Sequence, residues 1–349
     1  MRTLIAGMTA AAVAIGAFML SPAMVDACAG LIGSNGAVNL GRTTTLAGYS
    51  NGVEHYVTSF EFQGGGGQFG TLIPLPGVPT KVERGGAWTL QRLVRETDPP
   101  PDLLSAGAAF DEAAAPRSAK VLLEARVDAL DLTVLEGGGP AVAEWAQEHG
   151  FRLSPDAPEV LDFYASRSPI FLAAVFDGEA AAARRQQLGD GTPVHLTIPT
   201  DNPWVPLRIL ALGKQLDDRV EADVYLLTDG VPALLPDGGE GLRVAHSDEA
   251  TQSLLDDLRA DDGMGWVPEQ AWLTKVEIDA RAGDLRYDLA VDTTEARSPS
   301  MLDAGLDFSS LHAEEGSAAS VAFVVIAVVV ASFAVVLLVQ RWNSPMEPL

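Results

Sequence analysis

An uncharged apolar stretch near the C-terminus places the strongest constraint on how this chain can fold. Val321–Val339 holds 19 consecutive residues without a charge, nearly all of them Val, Ala, Ile, Leu or Phe. As a helix that rises about 1.5 Å per residue, the stretch reaches roughly 30 Å, the thickness of a bilayer's hydrocarbon core. Arg341 and Trp342 follow it after Gln340, whereas Glu314 and Glu315 precede it. This asymmetry predicts one transmembrane helix, with a cytoplasmic tail and with the bulk of the protein outside.

The N-terminus carries the pattern of a secretory signal peptide. A basic residue, Arg2, precedes the apolar run Leu4–Leu20, and the turn-prone Ser21-Pro22 follows. Val25-Asp26-Ala27 then places small or aliphatic side chains at the minus-three and minus-one positions of a cleavage site after Ala27. The sequence therefore predicts an exported protein that its C-terminal helix keeps at the membrane.

The predicted ectodomain is strongly acidic. The chain has a formal net charge of −24. Arg2 balances Asp26 in the signal, and Arg341 balances Glu347 in the tail, so the whole excess lies on the ectodomain. Such a surface repels phosphate backbones and anionic headgroups, which excludes nucleic acid as a partner and favours cations or basic partners.

Cysteine usage limits how the ectodomain is stabilised. Cys28 is the single cysteine of the chain, so no intramolecular disulfide can form and packing alone must supply the core. Its place after the cleavage site is compatible with a lipidated N-terminus, although Asp26 fits a lipobox poorly. A free thiol and an intermolecular disulfide are the alternatives.

Hydrophobic periodicity and turn residues predict an α+β fold, with a mostly antiparallel sheet and a few short helices. Ser50-Asn51-Gly52 predicts a hairpin turn, because Asn-Gly accepts positive φ at both central positions. The prolines after Phe69–Leu75 predict that this strand ends at an edge or in an extended arm. The predicted strands are Thr43–Tyr49, Glu54–Phe62, Phe69–Leu75, one or two within Val121–Leu135, Ile170–Phe176, Pro193–Ile198, Val205–Leu212, Glu221–Leu227 and, as the last, Trp272–Ile278. The predicted helices are Ala87–Arg95, one that starts at Pro140 and ends just before Gly150, Pro158–Ser166 and one that Ser247 caps and that runs to Leu258.

These elements give a domain organisation along the chain. We expect a signal peptide at 1–27, an extracytoplasmic α+β domain at 28–292, a flexible stalk at 293–320, the transmembrane helix at 321–339 and the tail at 340–349. The acidic-then-basic linker 177–190 leaves two organisations open for the ectodomain, namely one domain or two lobes at about 28–177 and 190–292.

Several segments resemble a known bacterial family. They are the Ala-Cys-Ala-Gly-Leu start at Ala27–Leu31, the turn Tyr49–His55, the run Gln68–Pro79, the strand Leu132–Leu135, the Trp145 helix with its His149-Gly150-Phe151 exit, and Pro203–Arg208. Taken together they resemble the family catalogued as domain of unknown function 2330, over roughly Cys28–Ile278. The resemblance implies an exported, membrane-associated protein, and it supplies no activity and no catalytic residue. Members often carry a second cysteine where Gly33 stands here, so no N-terminal disulfide is carried over.

Two glycine motifs match catalytic or cofactor-binding patterns in sequence but lack the secondary structure that those patterns require. Gly48-Tyr49-Ser50-Asn51-Gly52 fits the Gly-x-Ser-x-Gly nucleophile elbow, but that elbow needs a helix after the serine, and here a strand follows. Gly65–Gly70 fits Gly-x-Gly-x-x-Gly, but the chain continues as a strand instead of opening a helix onto a pyrophosphate. We interpret the first as a hairpin turn and the second as a loop.

Metal-ligating patterns are also weak. The five histidines are scattered, with no His-x-His or His-x-x-x-His pair, and acidic pairs such as Asp217-Asp218 and Asp261-Asp262 lack the spacing of a calcium loop. We therefore assign no catalytic, cofactor-binding or metal-ligating residue, and we expect no cofactor. The histidines are His55, His149, His195, His246 and His312.

The function that remains is a binding or envelope-structural module without catalytic activity. Its expected partners are the membrane, through one helix, and an extracytoplasmic protein or envelope ligand. The alternative is a hydrolase-like enzyme whose site is assembled from residues distant in sequence, with His55, His195 and His246 near Asp or Glu as first candidates. A pocket that converges on a histidine and carboxylates favours the enzyme, and scattered histidines favour the binder.

Overall fold

Two β-sheets packed face to face form the centre of the protein, with helices on both outer faces. The structure, a computed structural model, describes residues 25–26, 30–33, 42–60, 69–98, 120–176, 192–239, 241–294 and 296–306. The strands are β1 Val25–Asp26, β2 Gly30–Gly33, β3 Arg42–Ser50, β4 Val53–Phe60, β5 Phe69–Leu75, β6 Lys81–Arg84, β7 Lys120–Val127, β8 Leu130–Glu136, β9 Ile170–Phe176, β10 Thr192–Pro199, β11 Trp204–Val205, β12 Arg219–Thr228, β13 Ala233–Leu235, β14 Leu242–Glu249, β15 Trp272–Arg281 and β16 Leu289–Asp292. The helices are α1 Thr89–Thr97, α2 Gly139–Glu148, α3 Ala157–Ala165 and α4 Gln252–Ala260, with a 3₁₀ helix at Arg208–Ala211.

The strands form three sheets. An eight-stranded mixed sheet has the order β14-β15-β12-β3-β4-β10-β6, with β1 paired to β3 outside this path. A five-stranded antiparallel sheet has the order β2-β5-β9-β8-β7, and a three-stranded one has the order β11-β16-β13. Most pairings are antiparallel, and β3 pairs in parallel with β12 and with β1. The predicted α+β class with mostly antiparallel sheet is confirmed for the described residues.

Alternation along the strands separates three hydrophobic clusters and so defines the layers. On β4, Tyr56 points into the cluster between the two large sheets, whereas Val57 points to α1 and α4. On β9, Leu172 joins the central cluster, whereas Phe171 packs under α2 and α3. The order of layers is therefore helices, eight-stranded sheet, five-stranded sheet, helices. The small third sheet contributes to the central cluster along one flank, through side chains such as Val205, Leu289 and Val291.

Strands of both proposed lobes share the eight-stranded sheet. It contains β3, β4 and β6 from the first predicted lobe, and β10, β12, β14 and β15 from the second. Within the segment 293–320, where we expect a stalk, Ala304 is fully buried and its carbonyl accepts a hydrogen bond from the Asp288 amide. The described part of the chain ends shortly afterwards, at Leu306.

Most predicted elements are present within two or three residues of their expected bounds, and three predictions are wrong. Residues 205–212 do not form a strand. They form the end of β11 and the 3₁₀ helix, because Pro206 has no N–H to donate and the Asp288 carboxylate binds the next two amides, of Leu207 and Arg208. Ser247 does not cap a helix but lies in β14, and the Thr251 side chain caps α4 by accepting from the Leu254 amide.

The third error concerns the last strand of the fold. Trp272–Arg281 is not the last strand, because β16 follows it and joins β11 to β13.

The strand β5, which was predicted to end at an edge or in an extended arm, lies between β2 and β9, but its pairing with β2 extends only as far as Leu72. Pro74 therefore lies beyond the end of β2, so its missing N–H removes no hydrogen bond between β5 and β2.

The predicted transmembrane helix and tail lie outside the residues that the structure describes. Of the predicted signal peptide 1–27, the structure describes only Val25–Asp26, which form β1 and pair with β3. Among the helices that it does describe, none combines the length and the apolar character needed to cross a bilayer.

Candidate functional site

Two of the candidate histidines come together on the helix-covered face of the eight-stranded sheet. β4 and β10 are antiparallel neighbours, with Thr197 opposite His55 and His195 opposite Val57. The two histidines are thus diagonal neighbours on one face. Nδ1 of His55 and Nε2 of His195 are 2.9 Å apart, a hydrogen bond in which one ring donates to the other.

Trp266 covers this histidine pair from the loop after α4. Its indole is parallel to the His55 ring, with an interplanar angle of 2° and centroids 4.2 Å apart. The indole also lies directly on Gly48, the cross-strand partner of His55, and a Cβ there would be 2.4 Å from the ring. The first glycine of the Gly-x-Ser-x-Gly match therefore provides room for a tryptophan.

Glu83 of β6 lies on the other side of the pair. Its Oε1 is 3.3 Å from Nδ1 of His195, which is ion-pair distance, although the alignment falls short of a hydrogen bond. Burial lowers the pKa of both histidines to about 4, and Glu83 acts in the opposite direction on each. At neutral pH both imidazoles are therefore uncharged. A neutral imidazole with so low a pKa is a weak general base near pH 7.

The other histidines are not part of this cluster. His246 lies on β14, four strands away from His55, which is about 19 Å at the usual strand spacing. His149 follows α2, stacks on Trp145 and donates from Nδ1 to the Trp145 carbonyl over 2.7 Å. His312 lies outside the described residues.

The remaining sequence motifs have structural roles where they are described. Asn51 and Gly52 have φ of 53° and 74°, so the predicted hairpin turn is confirmed. Ser50 lies in this exposed turn and donates a hydrogen bond to Asp229. Asp261 accepts from the Ala87 and Trp88 amides and from the Thr89 hydroxyl, so its carboxylate anchors the start of α1. Within the described ranges, no three His, Cys, Asp or Glu side chains are grouped so that they hold a metal ion.

A seam between the eight-stranded and three-stranded sheets contains two cavities, which sequence reasoning missed. The larger, about 350 Å³, is an open groove between β13 and the β14–β15 end of the large sheet. This volume lies within the range of small-molecule sites. The groove is lined by Pro232, Ala233, Leu234, Asp237, Val244, Ser247, Thr274, Arg297 and Pro299.

Three polar residues of the groove have incomplete pairing. Arg297 donates from Nη1 to the Val231 carbonyl. Its positive charge interacts with the Asp292 carboxylate at longer range, and no described carboxylate lies within ion-pair distance of the guanidinium. Asp237 is exposed and likewise has no ion-pair partner in the described part of the chain. Thr274 is only 2% exposed, and its Oγ1 is buried without a hydrogen-bond partner. A buried hydroxyl without a partner is destabilising, so it calls for an explanation.

The smaller cavity lies at the opposite end of the seam and contains the most perturbed carboxyl of the described residues. Glu54 is 1% exposed, and neither of its carboxyl oxygens has a hydrogen-bond partner. The cavity has room for about one water molecule, with a volume of about 10 Å³. Burial raises the pKa of Glu54 to about 8, and the nearby Trp204 backbone, which does not reach hydrogen-bond geometry, acts in the opposite direction.

A buried ionic network fixes the three-stranded sheet and the 3₁₀ helix to α3. One carboxylate oxygen of Asp288 accepts from the Tyr164 hydroxyl at 2.8 Å and from the Leu207 and Arg208 amides, and the other accepts from Arg167 at 2.5 Å. The side chains of Arg167 and Asp288 are 2% and 0% exposed. The Arg167 guanidinium also lies 4.9 Å from the Trp204 ring centroid. This network positions one wall of the seam.

Comparison with known proteins gives a family and no activity. A family model described as an uncharacterized protein conserved in bacteria, DUF2330, matches residues 22–290. No curated protein matches the chain. Among solved structures, a mutated baculovirus P35 after caspase cleavage is similar, with 10% identity, 74% of this chain and 99% of that chain covered, and a TM-score of 0.41. The caspase-8/P35 complex has 10% identity, 72% and 96% coverage and a TM-score of 0.36. Likeness at this level carries no argument about the present chain.

Proposed function

This chain belongs to the DUF2330 family of uncharacterized bacterial proteins, and we propose that it is a membrane-anchored, extracytoplasmic binding module without catalytic activity. The observation that carries the proposal is the seam groove. It combines a volume of about 350 Å³ with an arginine and an aspartate that lack ion-pair partners and with a buried hydroxyl that lacks a hydrogen bond. Apolar walls with a few convergent polar groups are typical of a ligand site.

The second candidate is a hydrolase that uses the histidine pair. The chain Glu83–His195–His55 resembles the carboxylate–imidazole order of acid–base sites, and it unites two of the three candidate histidines. Three observations count against it. Both pKa values lie near 4, Trp266 covers the His55 ring, and the unpaired polar groups of the groove lie on the opposite face of the sheet. The binding module is therefore the better supported function.

Ligand binding in the groove is tested by thermal unfolding with a panel of amino acids, dipeptides, sugars and dicarboxylates at millimolar concentration. We expect at least one class to raise the Tm of the full-length protein in detergent micelles, because a ligand that binds only the folded state stabilises it. Ala233→Phe fills the groove and should abolish the shift. Ala87→Phe, at an exposed position on the far side of the sheet, should keep it.

Two results would contradict the groove assignment. One is the absence of a Tm shift across the whole panel. The other is an equal shift in the wild type and in Ala233→Phe, which would place the ligand elsewhere.

The proposed topology has its own test. Protease added to intact protoplasts should remove the ectodomain and leave a membrane-embedded C-terminal fragment, because residues 321–339 are expected to span the bilayer with the tail inside. Immunodetection of a C-terminal tag measures the fragment. Protection of the ectodomain until the membrane is permeabilised would refute the orientation.

A further inference from the structure

We propose that the groove binds a small zwitterion, namely a free α-amino acid or a short peptide with a free amine and a free carboxylate. The proposal rests on the proposed binding function and adds the chemical class of the ligand. It starts from two opposite charges that line one cavity, Arg297 and Asp237, neither of which has a described ion-pair partner at contact distance. Asp292 acts on Arg297 only at longer range.

Arg297 supplies the site for the carboxylate. Its Nη1 donates to the Val231 carbonyl over 3.0 Å, which holds the guanidinium in place at the groove and leaves further N–H donors free. A guanidinium binds a carboxylate through paired, charge-assisted hydrogen bonds. The backbone at Arg297 has φ of 47°, an uncommon left-handed conformation for a residue other than glycine.

Asp237 supplies the site for the amine. It follows the three-residue strand β13, whose Ala233 and Leu234 line the same groove. An α-amino group has a pKa of about 8 and is mostly protonated at neutral pH, so it pairs with a carboxylate. A dipeptide spans roughly 7 Å, which fits a cavity of about 350 Å³.

Thr274 supplies a hydroxyl that has no hydrogen-bond partner within the described protein. Its Oγ1 lies under the lining of the groove, buried and unpartnered, on β15 between the side chains of β12 and β14. A ligand amide or carboxylate in the groove would give this hydroxyl a hydrogen-bond partner. A valine in its place fits a strand equally well and carries no unmet hydrogen bond, so retention of threonine is unfavourable for the empty protein.

The apolar part of the lining suits the side chains of such a ligand. Val244 is 39% exposed on β14, which is the free edge of the large sheet, and Leu234 and two prolines line the same cavity. The preferred ligand therefore has aliphatic side chains between its two charged ends.

Calorimetric titration of the full-length protein in detergent micelles tests the proposal with the dipeptide alanyl-leucine as the probe. We expect N-acetylation and C-amidation of the probe each to weaken binding by about ten-fold or more, because each removes one charge-assisted contact. Arg297→Gln should remove the penalty of amidation only, and Asp237→Asn the penalty of acetylation only. Arg286→Gln and Asp262→Asn, at exposed positions outside the groove, make the same charge changes and should behave as the wild type.

Thr274→Val separates a binding role from a structural one. We expect it to raise the Tm of the empty protein and to weaken alanyl-leucine several-fold. A threonine that only packs would leave the affinity unchanged, and that result would overturn its assignment.

The remaining outcomes separate this inference from the function on which it rests. Equal binding of the free and capped dipeptides would overturn the zwitterion and leave the groove as a ligand site. Suppose instead that alanyl-leucine fails to bind, while another ligand class of the thermal-unfolding panel raises the Tm of the wild type and not that of Ala233→Phe. This result would also overturn the zwitterion and leave the groove as a ligand site. If no class does so, both proposals fall.

Discussion

Replacing Glu54 with glutamine is expected to remove a large pH-dependent destabilisation of the folded domain. Glu54 is fully buried, has no hydrogen-bond partner on either oxygen, and has its pKa raised to about 8 from a usual value of 4.5. Tyr49, its cross-strand partner, has its own pKa raised by burial and then by Asp201, Glu54 and Asp292, so the titratable groups around this site are acidic.

The direction of the pH dependence follows from the number of protons that the folded and the unfolded protein bind. Between pH 4.5 and 8 the folded protein keeps the Glu54 proton, whereas the unfolded chain has lost it, so stability falls as pH rises through this window. At about 1.4 kcal/mol per pKa unit, the free energy of unfolding loses roughly 4–5 kcal/mol across the window. Below pH 4.5 both states are protonated and this contribution is absent.

Unfolding monitored by tryptophan fluorescence at several pH values measures the effect, with Trp204 next to the site as a reporter. The stability of Glu54→Gln relative to the wild type should increase steadily from pH 5 to pH 8 and then level off. Glu249→Gln, which changes an exposed carboxyl, should give a difference independent of pH in this range. Parallel pH curves for Glu54→Gln and the wild type would show that Glu54 is not buried as an acid.

Replacing Asp288 with asparagine is expected to cost about 3–5 kcal/mol of unfolding free energy, because it leaves a buried guanidinium without its counter-charge. The Arg167 side chain is 2% exposed, and its Nη2 would then face an amide N–H or a neutral oxygen instead of a carboxylate. The two backbone amides that turn the chain into the 3₁₀ helix would also lose a charged acceptor.

Chemical denaturation measures this loss, and the chain offers a matched exposed pair. Arg219 and Asp279 form a bidentate contact at 2.6 Å, with side chains 65% and 54% exposed. Asp279→Asn should cost less than about 1 kcal/mol, since water screens that pair. Combining Asp288→Asn with Arg167→Met should recover part of the loss. If Asp288→Asn were as mild as Asp279→Asn, the buried network would not hold the seam.

Local chemistry was sufficient to predict many elements of the fold. Asn51-Gly52 specifies its hairpin because both residues adopt positive φ, and Ile170–Phe176 has the predicted bounds because a continuous apolar run marks a strand buried on both faces. The helix α2 follows from Pro140 near its start and from Gly150, with φ of 77°, just beyond its end.

The errors share a physical cause, because each was decided by a partner distant in sequence. Residues 205–212 have the apolar content of a strand, but Asp288, about 80 positions later, binds the amides that a strand would use. Likewise, the hydroxyls of Ser247 and Thr251 are equivalent as caps in sequence terms. Pairing of β14 with β15 through Glu249 leaves only Thr251 at the helix start.

By itself, the sequence determined the family, the acidic character, the absence of an intramolecular disulfide and most of the strands, because these depend on composition or on neighbours within a few residues. It also predicts the anchor at 321–339. Only the tertiary structure paired His55 with His195 from 140 positions apart and opened the groove between Asp237, Thr274 and Arg297. The reason is that sheet order decides which distant side chains meet, and β3 pairs with the distant β12 as well as with its sequence neighbour β4. A cavity is the space left between sheets, and no local pattern encodes it.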